Sequence, residues 1–398
     1  MQSEWKKVKI EDIADVTMGQ SPKSEYYNNE KKGMPFLQGN RTFGMKTPLF
    51  DTYTTYITKI ANAGDVIMSV RAPVGDLNIA PVDLCLGRGV CSLHMKNGNQ
   101  EFLYYLMKFN VFNLLQKENG TVFASVNRKD ILELEINIPD LETQKKIAKI
   151  LSSIDDKIEL NQKINENLEK QAQAIFKNWF IDFAPFGGKM PSDWKESSLA
   201  DIANFLNGLA MQKFRPKNGE SGIPVLKIKE LKQGFCDFDS DRCSENIKKD
   251  YLIKNGDVIF SWSATLIVDF WCGGLCGLNQ HLFKVTSNIY DKWFYYVWTN
   301  YHLQKFIKIA TDMATTMGHI KREELDKAKV LIPSQSDYNL INSLISPLYE
   351  LIIANRLESK QLADLRDTLL PRLMSGELDV SNVKLKLKSN SHFSMNVF

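Results

Sequence analysis

The sequence is written twice. Trp5 is answered by Trp194, Asp12-Ile13-Ala14 by Asp201-Ile202-Ala203, Gly19 by Gly208 and Gly33-x-Pro35 by Gly222-x-Pro224, all at a spacing of 189. Gly64-Asp65-Val66-Ile67 returns 192 residues later as Gly256-Asp257-Val258-Ile259, and Ile138-Pro139 returns 194 later as Ile332-Pro333. A drift of a few residues is what loop insertions leave inside one common fold. A chain built this way is expected to form two like modules with two similar surfaces, suited to reading something at two places.

Within each copy, short β-like runs precede a helix. Residues 65–70 and 90–95 are strand candidates in the first copy, bounded by Ala63-Gly64 and Asn97-Gly98, and 101–116 carries a helical apolar pattern. The second copy repeats the plan with strands at 257–262 and 281–285 and a helix from about 291 to 309. Gly64-Asp65 and Gly256-Asp257 are read as tight turns into buried strands. No regular βαβ alternation occurs, so each module is assigned to the α+β class rather than to a nucleotide-binding sheet.

Each copy ends in a long heptad pattern. Ile147, Leu151, Ile154, Ile158, Asn161, Asn165, Leu168, Ala172, Ile175 and Trp179 fall at alternating spacings of four and three, a seam of more than four repeats. Ile341, Ile345, Leu348, Ile352, Asn355, Ser359, Leu362, Arg366 and Leu369 do the same. Asp140 and Ser334 are placed to cap the two helices, and Pro371 is expected to end or kink the second. Two seams of similar length in one chain most simply pair with each other as an antiparallel coiled coil. Asn161 and Asn355, equivalent across the repeat, are assigned to fixing its register. A coil of 36 residues spans roughly 54 Å at 1.5 Å per residue, more than one ~34 Å turn of duplex DNA.

The boundaries that follow are 1–139 for the first module, 140–183 for a central helical spacer, 184–333 for the second module, 334–376 for a C-terminal helical spacer and 377–398 for a disordered tail. No apolar run is long enough for a membrane span, and six cysteines in 398 residues make no disulfide framework, so a cytoplasmic setting is expected. Charge is balanced: the first 141 residues hold sixteen basic and sixteen acidic side chains, and the chain nets +3. Composition therefore does not announce nucleic acid, and much of the phosphate neutralisation in any DNA complex would have to come from a partner. A tandem scaffold that binds only proteins is the alternative that this charge balance favours.

The stretches Gly64-Asp65-Val66-Ile67-Met68-Ser69-Val70-Arg71-Ala72-Pro73-Val74-Gly75-Asp76, Leu86-Gly87-Arg88-Gly89-Val90 and Leu369-Leu370-Pro371-Arg372-Leu373-Met374-Ser375-Gly376-Glu377, with Ile138-Pro139 before the first seam, decide between these readings. Over residues 4 to 380 the chain resembles the specificity subunit of type I restriction–modification enzymes. The resemblance implies two target-recognition domains, each reading one half of a bipartite, asymmetric site in double-stranded DNA. It also implies paired helices that set the gap and dock two methyltransferase subunits, restriction–translocase subunits that complete the enzyme, and no catalytic residue or cofactor of its own. The two copies diverge where reading would occur: Ser261-Trp262-Ser263-Ala264-Thr265 stands against Ser69-Val70-Arg71-Ala72-Pro73, and Asn279-Gln280-His281 against Gly87-Arg88-Gly89. The target is therefore expected not to be a palindrome.

Absent motifs point the same way. No Gly-x-x-x-x-Gly-Lys-Ser/Thr loop and no Asp-Pro-Pro or Asn-Pro-Pro followed by an aromatic occurs. Cys272-x-x-x-Cys276 with His281 lacks the spacing of a zinc knuckle, so no metal is assigned, and His94 and His302 are assigned to packing. Candidates for DNA contact are basic or amide side chains in turns, beside glycine or at matched positions, since Arg and Lys suit guanine edges and Asn and Gln suit adenine. They are Gln38, Asn40, Arg41, Arg71, Arg88, Arg128 and Lys129 in the first copy, and Lys227, Lys229, Ser263, Asn279, Gln280, His319, Lys321 and Arg322 in the second. The outer faces of the helices are expected to carry mixed charge, as at Lys145-Lys146 and Asp155-Asp156. Phe176, Trp179, Phe180 and Phe183 are assigned to a methyltransferase-docking surface at the end of the coil.

Overall fold

The computed structural model describes residues 5–115, 125–312 and 320–383. Of the sequence expectations, His319 and tail residues 384–398 lie outside the described residues. The chain divides into two compact units, 1–157 with 362–398, and 158–361.

In the first unit Lys6–Lys9 pairs antiparallel with Glu135–Ile138, closing the module just before its long helix. A four-stranded sheet follows in the order Ala14–Met18, Val90–Met95, Val66–Ser69, Leu77–Ile79. Helix Gln100–Leu115 packs Phe102, Leu103, Leu106 and Met107 into the same core as Val66, Met68 and Leu93 of that sheet. A second sheet holds Met34–Leu37 between Tyr53–Thr54 and a parallel partner, Leu84–Leu86. Gly64 turns with φ +90° into the buried strand, and the buried Asp65 carboxylate accepts from Asn62 N at 2.9 Å. His94, expected to pack, instead lies half-exposed with Nδ1 2.7 Å from that carboxylate.

The second unit repeats this topology. Lys195–Ser198 pairs with Lys329–Ile332, and the four-stranded sheet runs Asn204–Asn207, Leu282–Thr286, Val258–Ser261, Ile267–Phe270. Ile223–Leu226 again lies between an antiparallel strand, Arg242–Cys243, and a parallel one, Cys276–Leu278. Helix Lys292–Asp312 supplies Trp293, Phe294, Trp298 and Phe306 to an aromatic core, and His302 is buried there as expected. Burial lowers the His302 pKa by disfavouring the charged ring.

Two helices are shared between the units. The central helix, Leu141–Phe176, starts at Asp140, whose Oδ1 accepts from Thr143 N at 3.0 Å. The C-terminal helix, Gln335–Met374, starts at Ser334, whose Oγ accepts from Asp337 N at 3.3 Å. In the second unit Asn161 Nδ2 donates to Ser359 Oγ (3.2 Å) and Asn165 Nδ2 to the Ile352 carbonyl (3.2 Å). The number falls on one helix as it rises on the other, so the two run antiparallel there. Asn355 joins the same buried ladder, donating to Asn165 Oδ1 at 2.9 Å. Among the described residues the buried Asn161 Oδ1 has no hydrogen-bond partner, a cost of placing an amide in the seam.

In the first unit Ile147 and Leu151 share a core with Leu370, Leu373 and Met374. Asp155, expected on an outer charged face, is instead buried, taking Arg366 Nη1 at 2.7 Å and the Tyr105 hydroxyl at 2.5 Å. Pro371 does not stop the C-terminal helix, which continues to Met374. Beyond it, residues 377–383 are ordered against the first core: Val380 is buried and the Ser381 carbonyl accepts from Lys146 Nζ at 2.5 Å.

Candidate nucleic-acid interface

Each unit builds a frame from backbone hydrogen bonds, and most of these bonds recur in the other; Gly89 N donates to Gln38 O at 3.0 Å, whereas the matched His281 N turns to the Asn279 side chain. Gly19 N donates to Val90 O as Gly208 N does to Leu282 O, both at 3.0 Å. Gly87 N donates to Leu37 O (2.8 Å) as Asn279 N does to Leu226 O (3.2 Å). Val70 N donates to Gly89 O (2.9 Å) as Trp262 N does to His281 O (3.4 Å), and Val126 N to Val70 O (3.0 Å) as Ile320 N to Trp262 O (3.1 Å). Ser69 Oγ and Ser261 Oγ each close the following loop, on Pro73 O and Thr265 O, both at 2.8 Å. A Cβ on Gly19 would lie 2.0 Å from Gly87 O, and one on Gly208 2.1 Å from Asn279 O, so the frame leaves room only for glycine at both places.

On this common frame the side chains differ. Gln38 is matched by Lys227, Arg71 by Ser263, Arg88 by Gln280 and Gly89 by His281. In the first unit Gln38, Arg71 and Arg88 are exposed. Ser21 links two of them: its hydroxyl donates to Gln38 Oε1 at 2.9 Å and accepts from Arg88 N at 3.0 Å. Arg41 lies 2.7 Å from Asp51, and this guanidinium holds the Asp51 carboxyl below its usual range. Asn40 donates to Asp76 at 2.6 Å, Arg128 Nε to Val16 O at 3.1 Å, and Lys129 lies 3.8 Å from Glu133. Asn40 and Arg128 thus already tie the loop and the Arg128–Leu132 helix to the sheet.

In the second unit an open cleft of about 580 Å³ is lined by Gln212, Arg215, Lys227, Asp241, Asn279 and Gln280, among others. Lys227 is ion-paired to Asp241, whose carboxyl it pulls down, and Lys229 lies 2.8 Å from Asp237, whose carboxyl is held at about 2. Ser263 and Asn279 are buried: Ser263 Oγ lies 3.1 Å from His281 Nδ1, and Asn279 Oδ1 accepts from His281 N at 3.3 Å. Both shape the turn, and Gln280 is the amide that stands partly exposed there, its Nε2 3.2 Å from His281 Nε2. Lys321 and Arg322 are exposed, and Arg322 lines a separate recess with Asp201 and Ser287.

Sequence reasoning missed Gln212, Arg215 and the hub role of His281. The run Lys213-Phe214-Arg215-Pro216-Lys217, three cations in five residues beside Gly219, was the available signal. The assignment of Phe176 and Phe180 to a docking surface needs correction. Both are buried in the second core, with Phe180 5.2 Å from Trp194 and Phe176 5.0 Å from Trp298. Trp179 and Phe183 are half-buried over Phe186 and Trp194. The buried stripe runs from Ala172 through Phe176 to Phe180 rather than through Ile175 and Trp179, and after Phe176 the helix widens into a π turn over Lys177–Ile181. Cys276 has a thiol, Cys236, 3.4 Å away, and among the described residues no His/Cys/Asp/Glu group is arranged to hold a metal. No helix among the described residues is long and apolar enough to cross a membrane.

A family model described as the type I restriction modification DNA specificity domain matches residues 2–170 and again 191–363. The chain is 29% identical over 416 residues to the type I restriction enzyme MjaIX specificity subunit of Methanocaldococcus jannaschii, covering 96% of this chain and 95% of that one. It is 23% identical over 354 residues to the HindI specificity subunit of Haemophilus influenzae, covering 70% and 77%. Among solved structures, the type I restriction–modification S subunit of M. genitalium shares the fold, with a TM-score of 0.62 at 17% identity over 94% of this chain and 96% of that one.

Proposed function

The chain belongs to the type I restriction–modification DNA specificity family, and from that premise we propose that it reads a bipartite, asymmetric DNA site. As a specificity subunit it recognises DNA sequence, while methyl transfer and cleavage belong to the other subunits of the enzyme. The observation that carries the bipartite reading is the matched pair of frames bearing unmatched side chains. A frame largely repeated presents matched positions to DNA twice, and Gln38 and Arg88 against Lys227 and Gln280 offer different donors and acceptors to base edges. The first half-site falls to Gln38, Asn40, Arg41, Arg71 and Arg88, with Arg128 and Lys129 toward phosphate. The second falls to Lys227, Lys229 and Gln280 on the turn set by Ser263 and Asn279, with Lys321, Arg322 and His319 toward phosphate.

The paired helices hold the gap between the half-sites and receive two methyltransferase subunits, to which the restriction subunits add. With Phe176 and Phe180 in the core, docking falls to the half-buried Trp179 and Phe183 and to exposed leucines of the helices, Leu340, Leu344 and Leu351 among them. Balanced charge fits such an assembly, since phosphate neutralisation can be shared with a partner.

Co-expression with the methyltransferase of the same system, followed by methylome sequencing, tests the reading. The expected result is one gapped, non-palindromic word with a methylated adenine in each half. A contiguous or palindromic word overturns it. Native mass spectrometry of the purified complex is expected to show two methyltransferase copies per chain, and a single copy overturns that stoichiometry.

A further inference from the structure

We propose that Arg215 reads a guanine in the second half-site, from a cleft that the first unit also has but fills; this rests on the DNA reading given above. Hydrogen bonds put the two clefts at one position of the repeat. Met34 pairs with Thr54 as Ile223 pairs with Cys243. One residue on, Thr55 N donates to Tyr26 O (3.1 Å) as Ser244 N does to Phe214 O (2.7 Å). The next residue in each copy, Tyr27 or Arg215, lines a cleft whose other walls also match, Phe36 with Val225, Gln38 with Lys227 and Thr52 with Asp241. In the first unit aromatic rings fill the place. Tyr27 and Phe36 have ring centroids 4.7 Å apart, and the Tyr27 hydroxyl donates to Pro22 O at 2.8 Å, so about 170 Å³ stays open. In the second, Arg215 and the smaller Val225 stand there and about 580 Å³ is open.

Of the cations along this larger cleft, Arg215 is the one whose donors are unspent. Lys227 is paired with Asp241, and Arg242 donates from Nε to Ser221 O (2.7 Å) and from Nη2 to Gly222 O (2.6 Å). Arg215 is exposed and makes no hydrogen bond or ion pair among the described residues. Its place is nonetheless fixed, because the backbone is pinned on both sides. Met211 is buried ahead of it, Phe214 N donates to Met211 O at 2.9 Å, and Phe214 O is held by Ser244. Pro216 follows, seated over Gly222, where an added Cβ would come within 2.5 Å of the proline ring. A free guanidinium on a held turn is suited to bidentate contact with the O6 and N7 acceptors of guanine.

The cleft suits a base edge better than a phosphate. Lys227 holds the Asp241 carboxyl below its usual range, with a smaller pull from Arg215, so a carboxylate stands in the same wall. A phosphate brings only acceptors and negative charge, and would have to sit beside that carboxylate. The edge of a G·C pair brings both kinds of partner. Guanine O6 and N7 accept from Arg215, while the N4 amino group of cytosine donates to a carboxylate or to the amide of Gln280, which lines the cleft as well.

The test uses the full complex with methyltransferase, titrated with duplexes that carry the mapped site and each of its single-base variants. Arg215→Ala is expected to lose about tenfold in discrimination at one guanine, in line with the loss of a bidentate pair, and to read the other half-site as the wild type does. Arg215→Lys is expected to keep the preference for that guanine, since lysine also reaches O6 and N7. Discrimination unchanged at every guanine of the site overturns the proposal. So does equal weakening on every sequence with a salt slope reduced by about one, which would place Arg215 on phosphate. Loss of methyltransferase co-purification overturns it as well, by assigning Arg215 to a protein contact. A wild-type complex without salt-dependent, sequence-specific binding instead overturns the underlying DNA reading.

Discussion

Arg88 and Gln280 occupy one position in two copies of one turn, and their side-chain chemistry differs. Arginine is suited to the O6 and N7 acceptors of guanine, and glutamine to the N6 and N7 of adenine. Arg88→Gln is therefore expected to weaken binding to the original site by about 1–3 kcal/mol and to change the preferred base in the first half-site only. Binding titrations and methylome mapping of the variant check this. A change in the second half-site, or equal weakening on every sequence with a salt slope reduced by about one, would assign Arg88 to phosphate instead. At this scale the sequence made part of the site legible. The repeat picked out Arg88 and Gln280, but it could not separate the partly exposed Gln280 from the buried Ser263 and Asn279, because burial depends on which loop folds back over a residue.

The long helices show how far periodicity carries. Heptad spacing located both, the caps at Asp140 and Ser334 are where the sequence put them, and Asn161 and Asn355 meet in the seam. Two features broke the pattern. Near the end of the central helix the buried residues Leu168, Ala172, Phe176 and Phe180 step by four, so a count alternating four and three leaves the stripe at Ile175, just ahead of the π turn. Asp155 was read beside Asp156 as solvated charge, although Arg366 was already in the opposing seam, and only the folded pair shows that the two meet. Asp155→Ala would leave the Arg366 guanidinium, 11% exposed, with the more exposed Asp367 carboxylate (2.8 Å) and the Tyr105 hydroxyl without its acceptor. A cost of about 1–3 kcal/mol is expected for buried donors left without an acceptor. A urea titration of the full chain should show an earlier transition for the first unit, and an unchanged midpoint would mean that the pair contributes nothing to stability.

For the whole molecule, duplication was the most legible property, since it needs no knowledge of side-chain placement. What the repeat could not reveal is how its helices are apportioned, each giving one stretch to the first unit and another to the second. If the paired helices set the gap, adding one seven-residue repeat to both lengthens them by about 10 Å at 1.5 Å per residue, about three base pairs at 3.4 Å each. The methylome of such a variant is expected to show both half-sites unchanged and the interval between them longer by about that number. An unaltered interval would sink the proposed spacing role.

The frame around Gly19 and Gly208 is made mostly of main-chain atoms, and this has an evolutionary corollary. If the exposed side chains read bases as proposed, drift at 38, 71, 88 or 280 would rewrite an address while leaving the fold intact, and drift in one copy does not oblige the other to follow. A lineage carrying such a chain could change what it labels in single small steps, half a word at a time.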